Sequence, residues 1–152
     1  MIEDKIKELG YVLPEAPKPL AAYIPALKTG NYVYTSGQVP IQKGELKFAG
    51  KIGRDLTLEE GQKAAELCAL NALSAIKGLI DDLKKIERII KVTVFVNSAN
   101  GFIDQPKVAN GASEFLGKIF GENGKHVRSA VGVGELPVNS AVELEMMVEI
   151  KE

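Results

Sequence analysis

Two side chains near the carboxyl end of the chain have types that could act on a small anion. They lie in HVRSAVGVGELPVNSAVELEMMVEI, residues 126 to 150, where Arg128 stands at the mouth of one strand and Glu143 lies in the next. Arginine presents a planar fork of N–H donors that holds a carboxylate by two parallel hydrogen bonds. Arg128 is therefore a candidate anion clamp. An ordinary surface arginine, paired with one of the twenty acidic residues, is the alternative that composition alone favours.

Glu143 is open to two interpretations. Alternation in VELEMMVEI turns Glu143, Glu145, Met147 and Glu149 to one side of a strand, and half-exposed strands often carry such carboxylates outward. If copies of the sheet pack together, the same side chain lies in an interface. Burial there would raise the pKa of Glu143, which is the condition of a general acid or base.

Other familiar chemistries find little support in the sequence. His126, the only histidine, would have to be the base of a serine-histidine-acid triad, but no GxSxG elbow accompanies it. We expect it to be a solvated loop residue. Cys68 falls on the apolar stripe of a predicted helix, where a cysteine is a small buried group rather than a nucleophile. No GxGxxG, GxxxxGKS or GxxxxGKT loop occurs to bind phosphate.

The totals restrict the class of protein. A chain of 152 residues suits one domain, and nineteen basic against twenty acidic residues leave a net charge of −1. That balance lacks the excess of lysine and arginine that binding to a phosphate backbone requires. One cysteine cannot form an intramolecular disulfide, and with one histidine it cannot complete a structural zinc site. The N-terminus is charged and no apolar run approaches the length of a membrane span, so we expect a soluble, cytoplasmic protein.

Periodicity and turn residues predict the elements that would hold these side chains. Strands are predicted at residues 31–38, at 45–48 as a hairpin partner, and at 88–97, 129–133 and 141–150. One helix begins at a capping box formed by Thr57 and Glu60 and carries an apolar stripe over residues 65–80, with Ser74 outside the stripe. A second helix begins at Asp104 and ends at Gly121.

This order of elements predicts an α/β (α+β) fold with two helices on one face of a mixed sheet. Residues 1–22, a short helical segment followed by a proline-spaced stretch, are expected to form an N-terminal arm, and residues 23–152 a single domain. Two helices cover only one face of a sheet. Copies of the chain that packed against the other face would bury it.

Three motifs, in this order, resemble those of the Rid family, the reactive intermediate deaminases, which are also called the YjgF family. They are YTSGQVP at 34–40, KVTVFV at 91–96, and RSAVGVGELP at 128–137 followed by VELEM at 142–146. The resemblance runs from about Tyr23 to Glu149. It implies a chorismate-mutase-like fold assembled as a homotrimer with clefts between subunits. It also implies hydrolysis of enamines and imines such as 2-aminoacrylate, which pyridoxal-phosphate dehydratases release, to 2-keto acids and ammonia without a metal or organic cofactor.

The resemblance also carries roles to individual residues. Arg128 matches the arginine that clamps the substrate carboxylate, and Glu143 matches the acid that positions or activates water. Four further residues would bind substrate or line the cleft: Tyr23, Ser36, Gly37 and Asn110. Ala130 stands in the cleft where many members have a cysteine, so the chemistry must rest on the arginine, the glutamate and backbone groups. The chain is longer than the common short form through its N-terminal arm and residues 47–56.

Two classes of function therefore compete. The first is the imine deaminase. The second is a non-catalytic protein of the same fold that binds small carboxylates and acts as a sensor or regulator, which Ala130 and the added length favour. Some members carry the names ribonuclease or translation inhibitor, but four tyrosines, five phenylalanines and a balanced charge offer little to stack on or bind nucleic acid.

Overall fold

Three helices and seven strands hold most of the regular structure in the computed structural model, which describes residues 1–18 and 22–152. The helices are α1 (Ile2–Glu8), α2 (Leu58–Ile80) and α3 (Gln105–Phe120). The strands are β1 (Ala26–Thr29), β2 (Tyr32–Thr35), β3 (Ile41–Gln42), β4 (Glu45–Leu46), β5 (Ile86–Asn97), β6 (Val127–Val133) and β7 (Val142–Ile150).

Five of these strands form one mixed sheet in the order β1-β2-β7-β5-β6, while β3 and β4 form a separate hairpin. The pair β5 and β6 is parallel, and the other neighbouring pairs are antiparallel. A parallel pair needs a long crossover, and α3 supplies it between β5 and β6. The predicted mixed α/β architecture is confirmed.

Each predicted strand differs from the observed one by one to three residues at one or both ends, and β1 and the two-residue β3 were not predicted. β2 ends at Thr35, because Ser36 and Gly37 leave the ladder before Gln38 rejoins β7 through hydrogen bonds of 2.7 and 2.9 Å with Leu144. β1 was not predicted, because its four residues, ALKT, show no alternation between apolar and polar side chains.

The two predicted helices begin where expected. Thr57 Oγ1 accepts from the backbone N–H of Glu60 at 3.1 Å, and the Glu60 carboxylate accepts from the N–H of Thr57 at 3.1 Å, which confirms the capping box. Asp104 occupies the N-cap position of α3, but its side chain makes no capping hydrogen bond and instead lies 3.6 Å from Lys107 Nζ. Every residue predicted for the apolar stripe of α2 is buried, Cys68 included.

The N-terminal segment packs on the helical layer, and its helix α1 is the short helical segment that the sequence predicted within residues 1–22. Ile6 is completely buried, and Lys5 Nζ donates to the carbonyl of Ile119 at 3.2 Å. The rings of Tyr11 and Phe115 meet edge to face with centroids 5.7 Å apart. The predicted arm extends to residue 22, and its residues 19–21 lie outside the described part of the chain.

This packing explains one error in the predicted burial of α2. Ser74, which the helical pattern placed outside the apolar stripe, is 1% exposed and donates to the carbonyl of Pro14 at 2.7 Å. The N-terminal segment covers this side of the helix, so a serine outside the stripe is nevertheless buried.

The opposite face of the sheet carries exposed apolar side chains. Along β7 the predicted alternation is confirmed, since the even-numbered residues are buried and Glu143, Glu145, Met147 and Glu149 turn away from the helices. The exposed apolar residues on this open face are Leu27, Tyr32, Tyr34, Val127 and Val131. Within the described residues, no helix has both the length and the apolar character needed to cross a bilayer.

Candidate functional site

Arg128 lies on the edge strand β6, on the side of the sheet that faces the helices. Its Nη1 donates to Asn110 Oδ1 at 2.9 Å and to Ser113 Oγ at 3.1 Å, both on α3. These two bonds use both protons of Nη1. Among the described residues, Nε and Nη2 make no hydrogen bond, so the opposite edge of the guanidinium keeps the paired donors that fit a carboxylate.

His126 is not the solvated loop residue that the sequence predicted. The ring is half-buried between α3 and the loop before β6, with Nε2 2.9 Å from Ser113 Oγ and Nδ1 2.7 Å from the carbonyl oxygen of Gly124. Sequence reasoning saw only the polar, glycine-bounded loop around it. The spacing of Asn110 and Ser113 on one face of a helix was the signal that could have linked the loop to Arg128.

Ala130 follows Arg128 on the same side of β6, where it pairs with the buried Val94 of β5 and is half-buried itself. Its methyl group offers neither a proton nor a nucleophile. The side chains beside Arg128 therefore include the hydroxyl of Ser113 and, next to it, the ring of His126, but no thiol at position 130.

Glu143 lies on the open face of the sheet, paired across to Phe95 of β5. The side chain is half-buried, and burial raises the pKa of its carboxyl, with a further contribution from the negative charge of Glu145. The carboxyl rests against the turn after β2, since a β-carbon built on Gly37 would lie 2.8 Å from Glu143 Cδ. Gly37 and Glu143 are thus neighbours within one chain.

A cavity of about 710 Å³ adjoins this turn and is lined by Tyr23, Ser36 and Gly37. Its other walls are the N-terminal segment, the β3–β4 hairpin and α2. Asn71 of α2 holds one wall by donating to the carbonyls of Val39 and Ile41, each at 2.9 Å. Sequence reasoning missed this cavity, because its walls come from segments far apart in the chain.

The predicted site residues form two groups that do not meet within one chain. The clamp group contains Arg128, Asn110 and Ala130 at β6 and α3, and the wall group contains Tyr23, Ser36, Gly37 and Glu143 at the β2–β7 side. Phe95 pairs with both Glu143 and Val131, so β5 lies between the two strands. Strand spacing and residue rise place the Cα atoms of Arg128 and Glu143 about 14 Å apart, with their side chains on opposite faces.

A metal centre is not indicated in residues 1–18 and 22–152, where no three histidine, cysteine, aspartate or glutamate side chains cluster. The thiol of Cys68 is completely buried, and burial raises its pKa well above the ordinary value. Buried thiols of this kind are inert. Cys68 is therefore part of the core, as the sequence predicted.

The fold defines a class of protein, namely mixed α/β proteins of chorismate-mutase-like architecture. Residues 3–150 match the model of the family described as "YjgF/chorismate mutase-like, putative endoribonuclease". The chain belongs to this YjgF, or Rid, family, which confirms the resemblance seen in its motifs.

Three relatives bear on the activity and the fold. A protein from Dermatophagoides farinae named 2-iminobutanoate/2-iminopropanoate deaminase is 32% identical and aligns over 91% of this chain and 93% of its own. The crystal structure of Atu1372 from Agrobacterium tumefaciens, a protein of unknown function, is 44% identical with a TM-score of 0.94 and covers 99% of this chain and 92% of its own. The crystal structure of E. coli TdcF with bound serine is 26% identical with a TM-score of 0.63, over 91% and 94% of the two chains.

Proposed function

We propose that this protein hydrolyses 2-imino acids and their enamine tautomers, such as 2-aminoacrylate, to 2-keto acids and ammonia. The observation that carries this proposal is the free donor edge of Arg128, held in place by Asn110 and Ser113. The deaminase name of the Dermatophagoides relative supports it. So does the serine bound to TdcF, because serine has a free carboxylate of the kind that such an edge binds.

The reaction follows from where the substrate carboxylate is held. In a 2-imino acid the electrophilic carbon is bonded directly to the carboxylate, so two hydrogen bonds from Arg128 fix the position of that carbon. Water adds its oxygen to the carbon, the carbon–nitrogen bond then breaks, and nitrogen leaves as ammonia after taking up protons. The products are a 2-keto acid and ammonia.

Glu143 is the proposed acid and base. Because burial raises its pKa, the carboxyl exchanges protons closer to neutral pH than an ordinary glutamate does. It would accept a proton from the attacking water and return it to the departing nitrogen. Acid-base assistance of this kind supplies about 10² to 10⁴ in rate, which suffices for imines that also hydrolyse unaided.

We further propose that two chains of a homotrimer complete each site. Arg128 and Glu143 lie too far apart in one chain to act on the same small molecule, so a neighbour must bring its wall group to the clamp group. One row of paired residues crosses all five strands of the open face in register: Leu27, Tyr34, Met147, Lys91 and Val127. Its exposed apolar members give that face a surface to bury against a copy.

A second candidate function is the binding of small carboxylates without catalysis. The observation that favours it is Ala130, which leaves the clamp without a thiol at that position of β6. In that case Arg128 would bind 2-keto acids or amino acids, and the assembly would act as a sensor or regulator.

An imine-clearance assay separates the two functions. A pyridoxal-phosphate threonine or serine dehydratase generates the imine in situ, and the rate of 2-keto acid release is measured with and without this protein. We expect acceleration by wild type and its loss in Arg128→Ala. Arg54→Ala is the matched control, because Arg54 is a surface arginine whose partner is the adjacent Asp55 at 3.0 Å. Full acceleration by Arg128→Ala would disprove the clamp, whereas tight pyruvate binding without acceleration would establish the second function.

The proposed homotrimer and its shared sites are tested separately. Light scattering after gel filtration should give three times the 16.4 kDa mass of one chain. Mixing Arg128→Ala with Glu143→Gln protein under exchanging conditions should restore part of the activity, since some clefts would then join an intact clamp to an intact acid. A monomer, or mixed protein with no restored activity, would show that the site is not shared.

A further inference from the structure

A hydrogen-bonded path joins the only histidine of the chain to the candidate clamp. It runs from the Gly124 carbonyl through both ring nitrogens of His126 to Ser113 Oγ, and from there to Arg128 Nη1. The three distances along it are 2.7, 2.9 and 3.1 Å. All four groups lie in the half-buried corner between α3 and the start of β6.

The direction of each bond follows from what each atom can do. A carbonyl oxygen only accepts, so the proton between His126 and Gly124 belongs to Nδ1. In the neutral ring Nε2 is then the bare nitrogen and accepts the hydroxyl proton of Ser113. Arginine only donates, so Nη1 of Arg128 must point at a lone pair of the same hydroxyl oxygen. Each bond in the path therefore has one donor and one acceptor, and the assignments are mutually consistent.

This arrangement fixes the guanidinium by directing the serine. A free hydroxyl rotates and can turn its proton toward a neighbouring donor, which would weaken its bond with Arg128. Because the His126 ring holds that proton, Ser113 presents a lone pair to Nη1. Asn110 takes the second Nη1 proton at 2.9 Å, so two acceptors hold the guanidinium at Nη1, while its Nε–Nη2 edge makes no hydrogen bond among the described residues.

We propose that His126 is a positioning residue that orients the carboxylate-binding edge of Arg128 through Ser113. The inference rests on the proposed function insofar as Arg128 binds the substrate carboxylate. It adds two residues, His126 and Ser113, to the residues that determine how tightly a 2-keto or 2-imino acid is held. Neither residue touches the substrate.

Pyruvate binding and imine kinetics of four variants test whether His126 and Ser113 affect how tightly Arg128 holds the substrate. His126→Phe and Ser113→Ala should each weaken pyruvate binding and raise KM for imine about tenfold, with kcat nearly unchanged, because orientation of the clamp affects substrate and transition state alike. His126→Gln, whose amide oxygen can accept from Ser113, should recover most of the affinity. The double variant of His126→Phe and Ser113→Ala should be no weaker than either single variant, because both changes break one path.

Ser98→Ala is the matched control, since its hydroxyl binds the Val96 carbonyl at 2.9 Å and lies outside this path. It should leave pyruvate affinity unchanged. Thermal unfolding of each variant identifies loss of structure, and Ser113→Ala keeps the test open if the phenylalanine variant does not fold. Additive losses in the double variant, or wild-type affinity in Ser113→Ala, would overturn the proposal.

A spectroscopic signature tests the direction of the path. Histidine labelled with ¹⁵N gives a single ring system, because the chain has one histidine. The ring should show the tautomer protonated at Nδ1, and titration with pyruvate should shift the Nε2 resonance in wild type but not in Ser113→Ala. A ring protonated at Nε2, or one that ignores bound pyruvate, contradicts the inference. If Arg128→Ala binds pyruvate as well as wild type does, the clamp and hence the proposed function fail instead.

Discussion

A β-carbon added to Gly37 would lie 2.8 Å from Cδ of Glu143 and 3.0 Å from its Oε2. The glycine therefore makes room for the one carboxyl that we propose as acid and base. Its backbone is not in the left-handed region, so space rather than backbone conformation explains the absence of a side chain. The atoms that a methyl group would meet are the mobile end of a glutamate, which can move aside.

Gly37→Ala should consequently reduce activity much more than stability. The methyl group displaces the Glu143 carboxyl and removes the general acid-base contribution, so kcat for imine hydrolysis should fall about 10²-fold. The free energy of unfolding should change by less than about 1 kcal/mol, because the glutamate can rotate away. Stopped-flow clearance of dehydratase-generated imine and urea denaturation measure the two quantities.

Gly117→Ala is the matched control for that change. It is a helical glycine of α3 with nothing within 4 Å of an added β-carbon. Alanine there should raise stability by up to about 1 kcal/mol and leave kcat alone. An unaltered kcat in Gly37→Ala, or a large loss of stability, would mean that Gly37 does not serve to make room for a catalytic Glu143 carboxyl.

The raised pKa of Glu143 predicts a pH-dependent effect on stability. Burial and the charge of Glu145 favour the protonated carboxyl in the folded chain, so ionisation of Glu143 opposes folding above its folded-state pKa. Glu143→Gln should thus be more stable than wild type at neutral pH. The difference should shrink as pH falls toward the ordinary value of 4.5, where the unfolded carboxyl also becomes protonated.

Urea unfolding midpoints between pH 4 and 8 check this difference, measured at one fixed protein concentration because the proposed assembly would shift them. Glu114→Gln, at an exposed position on α3, is the comparison and should show a smaller change with pH. If the Gln variant were instead less stable at pH 7, Glu143 would have to be paired with a cation in the assembled protein.

Because the N-terminal segment packs on the helical layer, we expect it to contribute to the free energy of unfolding. Ile6 is completely buried against the helical layer, so Ile6→Ala should lower the free energy of unfolding by about 2–5 kcal/mol. Val12→Ala in the same segment should cost little, since Val12 is 76% exposed. Chemical denaturation measures both. Equal, small effects would mean that residues 1–18 attach only loosely.

Much of the fold could be predicted because its signals are local. The capping box at Thr57, the apolar stripe of α2 and the alternation of β7 each depend on residues a few positions apart. Burial of Ser74 could not be predicted in this way, because the covering chain comes from Pro14. The same holds for β1, whose four residues form a strand only because β2 lies beside them.

In the candidate site, too, local features could be predicted and contacts between distant parts of the chain could not. Residue type identified Arg128 and Glu143, and alternation placed Glu143 on the open face. What the sequence did not contain was the direction of the Arg128 side chain, which depends on Asn110 and Ser113 coming within 3.1 Å of Nη1. His126 was misjudged for that reason, since its partner on α3 is thirteen positions away in the chain.

Replacing Asn110 by aspartate tests the clamp, because the new side chain has nearly the same shape but carries a negative charge. Its Oδ1 accepts from Arg128 Nη1 at 2.9 Å, so Asn110→Asp would place a fixed carboxylate against the guanidinium. That charge offsets the positive charge that attracts the substrate to the Nε–Nη2 edge, so affinity for pyruvate should fall about tenfold or more. Stability should hold or rise, because a half-buried arginine gains an ionic partner. Calorimetric titration of pyruvate, with the exposed Asn100→Asp as comparison, measures the effect. Pyruvate affinity equal to wild type in Asn110→Asp would mean that the anion binds away from Arg128.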